Sequence, residues 1–166
     1  MYFKAMSLAL ADDAGSPLLS GARTSATELR ATLQLQIDYI AQRPPNALFL
    51  GQAQALQCAD EGSKGLKAAV TDVVLTSTGL FNGQAAGQSL NAFVRCASLN
   101  NPKAFPLSQL ADSLNSKHWQ LYQLGAPLVL HISPKPTDND RQQFQVRIRV
   151  VGGQELTQST PAIIWN

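Results

Sequence analysis

Two cysteines are the side chains of this chain whose chemistry the sequence constrains most. Cys58 and Cys96 form no Cys-x-x-Cys motif, and neither has a histidine or a second thiol nearby, which argues against a redox pair or a metal site. A disulfide closing the loop from residue 58 to residue 96 would stabilise the fold by roughly 4 kcal/mol in the chain-entropy model. We predict a Cys58–Cys96 disulfide, and two separate buried thiols are the alternative.

The two histidines are the natural candidates for acid–base chemistry near neutral pH. His118 precedes Trp119, and His131 lies at the end of an apolar run over residues 127–132. A catalytic dyad also needs a nucleophile and an orienting carboxylate close in space, and the sequence places neither beside either ring. We therefore predict no catalytic residue and interpret both histidines as surface or structural groups, with His131 also a candidate for ligand binding.

Two polar motifs resemble ion-binding loops without matching their spacing. Gly79, Gly83 and Gly87 do not follow either phosphate-binding glycine pattern, so they indicate a flexible connection. The run 138–140, Asp-Asn-Asp, could begin a calcium loop, but Gln143 stands where the loop needs glycine and no glutamate closes the coordination shell. The sequence predicts a polar loop there, and no metal or cofactor.

Arginine and aromatic side chains near the C-terminus are candidates for binding a partner. Arg147 and Arg149 are two residues apart in a strand pattern, which directs both guanidinium groups to one side of a sheet. They could bind a carboxylate or an acidic protein surface, or simply face solvent. Trp165 and the pair Trp119 and Tyr122 could anchor a partner, although core packing explains them equally well.

Helical patterns predominate in the first two thirds of the chain. Residues 25–28, Ser-Ala-Thr-Glu, fit a capping box, and apolar residues then recur at helical spacing until Pro44 and Pro45. We predict a helix over 26–43, a helical stripe over 89–98, and another helix around Leu107, Leu110 and Leu114. The segment 69–77 fits a buried strand or a helix, and the segment 46–58 fits neither period well.

The C-terminal third changes to the two-residue period of strands. Strands are predicted over 126–132, over 143–151, where apolar and polar residues alternate, and over 162–165. Together these elements predict an α+β fold, with the N-terminal amphipathic helix and further short helices packed on one face of an antiparallel sheet of three to four strands. Residues 1–24 are expected to be a flexible lead-in or processing remnant, and 25–166 a single domain.

The composition indicates an exported protein with a protein partner. Only 14% of the residues are charged, and the basic ones are scattered singly, which argues against a nucleic-acid partner. No run approaches the roughly 18 to 20 apolar residues of a transmembrane helix. Residues 7–11 resemble the end of a signal peptide. We therefore expect a periplasmic or extracellular location, and the oligomeric state stays open.

The predicted order of a capped helix over 26–43, a variable middle and a terminal sheet resembles the ectodomain of type IV pilins and pseudopilins. The resemblance concerns this layout alone, so it transfers no functional residue. We expect a non-enzymatic binding or assembly module of the cell envelope, because an exported small domain without a catalytic constellation is more often a scaffold than a catalyst. The alternative is a small-ligand-binding protein or enzyme, with a pocket between the sheet and its covering helices where His131 and Arg147 are the polar groups.

Overall fold

A computed structural model describes residues 2–38, 66–98, 101–116 and 125–166. Within these ranges the chain consists mainly of strands, with one six-residue α-helix, α1, and two short 3₁₀ turns. The strands are β1 Tyr2–Ala11, β2 Arg23–Thr24, β3 Leu29–Asp38, β4 Val70–Ser77, β5 Val94–Ser98, β6 Asn101–Pro106, β7 Leu128–Ile132, β8 Arg141–Gln142, β9 Phe144–Val150, β10 Glu155–Ser159 and β11 Ile163–Trp165. The helix α1 is Leu110–Asn115, and the 3₁₀ turns are Asn91–Phe93 and Leu107–Gln109.

The strands form two main sheets and one small sheet. A five-stranded antiparallel sheet has the order β1-β3-β7-β5-β6, and a three-stranded antiparallel sheet has the order β10-β9-β4. Strand β11 lies between β2 and β8 in the small sheet. The buried faces of both main sheets contribute to a single hydrophobic cluster. The architecture is therefore a β-sandwich, in which each main sheet also has an outward face.

The predicted α+β fold is wrong, and the predicted helix over 26–43 is its largest error. Strand β3 occupies residues 29–38, while residues 39–43 lie outside the described ranges. Leu29 and Leu33 are buried, as a helix would require, but Ala31 and Leu35 between and after them are buried too. Apolar residues four positions apart fit both the helical period and the two-residue period of a strand. Pairing of β3 with β1 and β7 shows that this segment is a strand. Without this helix, the layout shared with pilins is also absent.

The other predicted elements have mixed outcomes. The strands predicted in the C-terminal third correspond to β7, β9 and β11, and the helix around Leu107–Leu114 corresponds to α1 and its preceding turn. The helical stripe predicted over 89–98 is wrong, because β5 pairs there with β6 and β7. Strand β4 favours the strand alternative for 69–77, and β1 forms within the segment expected to be a lead-in. The segment 46–58 lies outside the described residues.

Two asparagine side chains pair with the outer edge of β4. Asn91 accepts a hydrogen bond from the Leu75 N–H (3.0 Å) and donates one to the Val73 carbonyl (2.8 Å). Asn115 at the end of α1 accepts a hydrogen bond from the Val70 N–H and donates one to the Val70 carbonyl, at 2.8 Å each. A side-chain amide has the same donor and acceptor as a peptide group, so these residues replace a neighbouring strand. Within the described ranges, no helix has the length and apolar character that a membrane crossing requires.

Two loops at one end of the sandwich are joined by polar contacts, and we call residues 77–84 and 133–143 the clasp. Asn82 and Gly83 have positive φ angles of 46° and 82°, as a tight hairpin turn requires. The Asp138 carboxylate accepts hydrogen bonds from both of their N–H groups, at 3.0 and 2.7 Å. A side chain at Gly79 would lie 2.9 Å from the Arg141 carbonyl, so only glycine fits where the two loops meet.

Candidate binding faces

Trp165 lies in the core of the sandwich instead of on its surface. Its side chain is fully buried, and its ring packs against Phe81 and Phe144 with centroid distances of 6.2 and 6.3 Å. The indole N–H donates a 2.6 Å hydrogen bond to the Ala26 carbonyl. Strand β11 is also paired on both sides. The contacts of Trp165 are therefore those of a core anchor, and residues 163–165 present no free strand edge.

Cys96 is a free thiol on the buried face of β5, so the predicted disulfide is wrong. The other predicted partner, Cys58, lies outside the described residues. Burial raises the pKa of the Cys96 thiol to about 12. Because the thiolate is the reactive form, burial of Cys96 disfavours its reaction while the protein is folded.

The outward side of the sheet β10-β9-β4 carries the two arginines predicted as binding residues, and we call it the three-stranded face. Nine side chains of this face form three rows across the strands. The rows are Asp72, Arg149 and Glu155; then Val74, Arg147 and Thr157; and last Thr76, Gln145 and Ser159. Arg147 and Arg149 thus point to the same side, as their spacing predicts. Their neighbours, however, differ in charge.

Arg149 is neutralised by its own row. Its Nε donates a 2.7 Å hydrogen bond to the Glu155 carboxylate. This bond and the charge of Glu155, with a smaller effect of Asp72, raise the pKa of Arg149. The same hydrogen bond is the main reason that the pKa of Glu155 is lowered. Both side chains are well exposed, so this ion pair organises the surface more than it stabilises the fold.

Arg147 has no such counterion in its row. Its neighbours in register are Val74 and Thr157, which are uncharged. The Nε atom is buried and has no hydrogen-bond partner, and no acidic side chain of the described ranges forms an ion pair with Arg147. Glu155 in the adjacent row is nevertheless near enough for the charge of Arg147 to lower the pKa of Glu155. A guanidinium group presents several N–H donors in a planar fork that matches a carboxylate. Arg147 is therefore a candidate for pairing with an acidic group of another molecule.

The outward side of the five-stranded sheet carries a second charged group, which we call the His131 row. Arg30 and Arg95 lie directly beside His131 on the neighbouring strands β3 and β5. Glu28, just before β3, lies 2.7 Å from the His131 Nδ1 and 3.6 Å from the Arg30 Nε. Since a carboxylate accepts, Nδ1 donates this hydrogen bond. The side chain that contacts His131 among the described residues is thus the Glu28 carboxylate, which is not a catalytic nucleophile for this ring to activate.

The structure does not bring His131 and Arg147 into one pocket. Each lies on the outward side of its strand, and the two strands belong to different sheets whose inward sides share the core. His118, Trp119 and Tyr122 lie outside the described residues. Among the residues that are described, no group of three or more His, Cys, Asp or Glu side chains is arranged to hold a metal ion.

Sequence reasoning missed the other members of both charged groups. The sequence predicts Glu28 as part of a helix cap and predicts no binding role for Arg30. The sequence did contain a signal for a strand here, because the apolar residues over 29–35 also occur at every second position. The positions of Arg95 beside His131 and of Glu155 beside Arg149 could not be predicted from the sequence pattern, because they depend on the register between strands.

The chain matches no protein-family model, no curated protein sequence and no solved structure. The contacts of its own residues therefore carry the argument about function.

Proposed function

We propose that this chain is a non-enzymatic binding module that binds a protein partner through the three-stranded face, with Arg147 as its anchor. The observation that carries the proposal is the guanidinium group of Arg147, which forms no ion pair among the described residues, although Glu155 is near enough for the charge of Arg147 to lower the pKa of Glu155. A carboxylate of the partner would pair with the guanidinium charge of Arg147 through its terminal nitrogens. Arginine is one of the residue types most enriched at energetically important positions of protein interfaces.

The surroundings of Arg147 support an interface instead of a reaction centre. The third row of the face consists of Thr76, Gln145 and Ser159, which are neutral and can both donate and accept hydrogen bonds. Gln145 already contacts Ser159 at 3.3 Å, so this row is ordered by its own contacts. Such a polar rim around a central arginine is typical of protein interfaces.

We also propose that the module works in the cell envelope, on the periplasmic or extracellular side. The low charged fraction of 14% supports this location, and β-sandwiches are common among cell-surface domains. The free thiol of Cys96 gives it no support. Fractionation of cells that make the natural protein, with cytoplasmic and envelope proteins as markers, tests the location. Recovery with the cytoplasmic markers would contradict it.

Site-specific photo-crosslinking in the producing cells tests the binding face. A photoreactive amino acid replaces Thr157, beside Arg147, and in a second variant it replaces Ser7 on the five-stranded sheet. We expect a protein adduct from position 157 that is absent from position 7 and that Arg147→Glu abolishes. Equal adducts from both positions, or adducts that survive Arg147→Glu, would contradict the proposed face.

Affinity measurements with the purified partner then test the role of Arg147. We expect Arg147→Gln to weaken binding about 30-fold, which corresponds to about 2 kcal/mol. Arg23→Gln is the matched control, because it removes the same charge from an exposed arginine in the small sheet. Equal losses from the two variants would mean that the net charge of the molecule, and not Arg147, attracts the partner.

A further inference from the structure

We infer that β10 is the contact strand of a symmetric dimer, in which it pairs antiparallel with β10 of a second copy of this chain. The two main sheets have four edge strands, and β10 is the one least protected against pairing with another molecule. It contains no proline and no lysine, and it pairs with β9 without a bulge. Its single charged residue, Glu155, is already paired with Arg149.

The other three edge strands are protected in ways that proteins commonly use. The edge of β4 is bonded to the side chains of Asn91 and Asn115. Strand β6 has two prolines among its six residues, and proline has no N–H to donate. In β1, a bulge follows Phe3, and the Leu18 N–H occupies the Leu10 carbonyl. Association by strand pairing is therefore expected at β10.

The direction of the backbone groups along β10 follows from its pairing with β9. The Val150 N–H bonds to the Gln154 carbonyl at 3.0 Å, and the Thr160 N–H bonds to the Phe144 carbonyl at 2.8 Å. Backbone groups of successive residues alternate in direction along a strand, so the even-numbered residues of 154–160 face β9. The residues whose N–H and C=O groups point away from β9 are Glu155, Thr157 and Ser159. Within the described ranges, none of these backbone groups has a hydrogen-bond partner.

A two-fold axis at Thr157 uses every one of these groups. Thr157 then lies opposite Thr157 of the second copy, and Glu155 lies opposite Ser159 of the second copy. Each copy supplies three N–H donors and three carbonyl acceptors, so about six backbone hydrogen bonds join the two strands. Because both copies use the same surface, the interface closes with two chains.

The side chains along β10 suit a second copy of the same strand. Threonine opposite threonine is a favourable pair, and Glu155 lies opposite the neutral Ser159, so no like charges are opposed. The two Arg147 residues start about 14 Å apart, which is three strand spacings, and salt largely screens charges at that distance. On the other side of the sheet, Leu156 is partly exposed at the margin of the core, and the added strand would cover it.

Sedimentation velocity of the purified natural protein over a range of concentrations tests the dimer. We expect a species of twice the chain mass that dissociates on dilution. Thr157→Pro removes the central N–H from both copies, so we expect association roughly 30-fold weaker. Because this N–H does not bond to β9, proline is compatible with the edge strand. Thr157→Val is the matched control, since it retains the N–H, and it should dimerise like the natural sequence.

Two variants at Ser159 test the register. Ser159→Glu places a second carboxylate opposite Glu155 and should weaken association, whereas Ser159→Lys should not. Thermal unfolding shows whether each variant is folded, and the Ser159 pair decides if Thr157→Pro is not. Equal association of the two Ser159 variants, or equal association of folded Thr157→Pro and Thr157→Val, would overturn the dimer. A monomer at millimolar concentration would also overturn it, even if the β10 edge then paired with a strand of another protein.

The dimer does not depend on the proposed binding of a partner to the three-stranded face. A photo-adduct between two copies from position 157 has twice the mass of the chain, which distinguishes it from the adduct with the partner. Loss of the partner adduct in Arg147→Glu tests the face, and sedimentation tests the β10 edge. Either proposal can therefore fail while the other holds.

Discussion

The clasp and the three-stranded face differ in whether their buried polar groups have hydrogen-bond partners. In the clasp, the Gln142 amide is buried, and all of its hydrogen-bonding groups are used. Ser77 donates to its oxygen, while its nitrogen donates to the carbonyls of Leu80 and Asn139 at 2.9 and 2.8 Å. On the three-stranded face, the buried Nε of Arg147 has no acceptor.

The Gln142 amide is a polar group that stabilises the fold, whereas the Arg147 guanidinium is the group that we propose contacts a partner. A polar atom buried within a native fold almost always has a hydrogen-bond partner, because an unpaired one costs free energy. The clasp follows this rule through contacts of its own. On the three-stranded face, the buried Nε of Arg147 is an exception to this rule among the described residues.

The largest expected effect on stability is at the aromatic core beside the clasp. Trp165→Ala removes a fully buried ring and leaves a cavity between Phe81 and Phe144, so we expect a loss of about 3–5 kcal/mol in the free energy of unfolding. Urea denaturation measures this loss. Trp165→Phe keeps an aromatic ring without the bond to Ala26 and should lose less. A loss below about 1 kcal/mol for alanine would contradict a structural role of the ring.

A smaller effect on the free energy of unfolding is expected at Gln142 in the clasp, and almost none at Arg147 on the three-stranded face. Gln142→Leu leaves the carbonyls of Leu80 and Asn139 and the Ser77 hydroxyl without their partner, so we expect a loss of about 1–3 kcal/mol. Arg147→Leu removes a donor that has no partner, and should change stability by less than about 0.5 kcal/mol. Urea denaturation of both variants decides the comparison. Similar losses from the two would mean that Arg147 also holds the fold.

The smallest effect is expected at the exposed bond of the clasp. The N–H groups of Gly83 and Asn82 lower the pKa of Asp138, and the Gly83 bond is the largest cause. A carboxyl group whose pKa is lower in the folded than in the unfolded protein stabilises above its ordinary value of 3.8. That contribution is lost as the pH falls through the folded pKa. The stability difference between the natural sequence and Asp138→Asn should therefore shrink on acidification.

Urea denaturation of both proteins between pH 6 and pH 2 measures this difference. Asp112→Asn on α1 is the control, because that carboxylate takes no part in the clasp. A difference that stays constant with pH would show that the carboxylate of Asp138 does not act through its charge.

The sequence predicted elements where one period was unambiguous. Strand β9 alternates without exception over Phe144–Val150, and it also placed Arg147 and Arg149 correctly on one side. Strand β3 could not be separated from a helix, because Leu29, Leu33 and Ile37 satisfy both periods and Glu28 completes a plausible cap. Partners far along the chain decide such a case, and a local pattern does not contain them.

The charged groups were hidden for a similar reason. The basic residues are scattered along the sequence, which argued against a nucleic-acid partner. Strand register then places Arg30, His131 and Arg95 side by side from three separate segments. Likewise, the contrast between Arg147 and Arg149 depends on whether the opposing residue on β10 is Thr157 or Glu155. A change of register by one residue would exchange these neighbours.

The asparagine contacts along β4 restrict how this molecule can associate with others. An extended peptide needs free backbone donors and acceptors to join a sheet. At this edge both backbone groups of Val70, the carbonyl of Val73 and the N–H of Leu75 are already bonded to Asn115 and Asn91. The segment 87–90 occupies the carbonyls of Leu75 and Ser77. These contacts disfavour the addition of another strand at this edge. A partner that approaches β4 must read side chains instead of main chain, which makes recognition there sensitive to sequence.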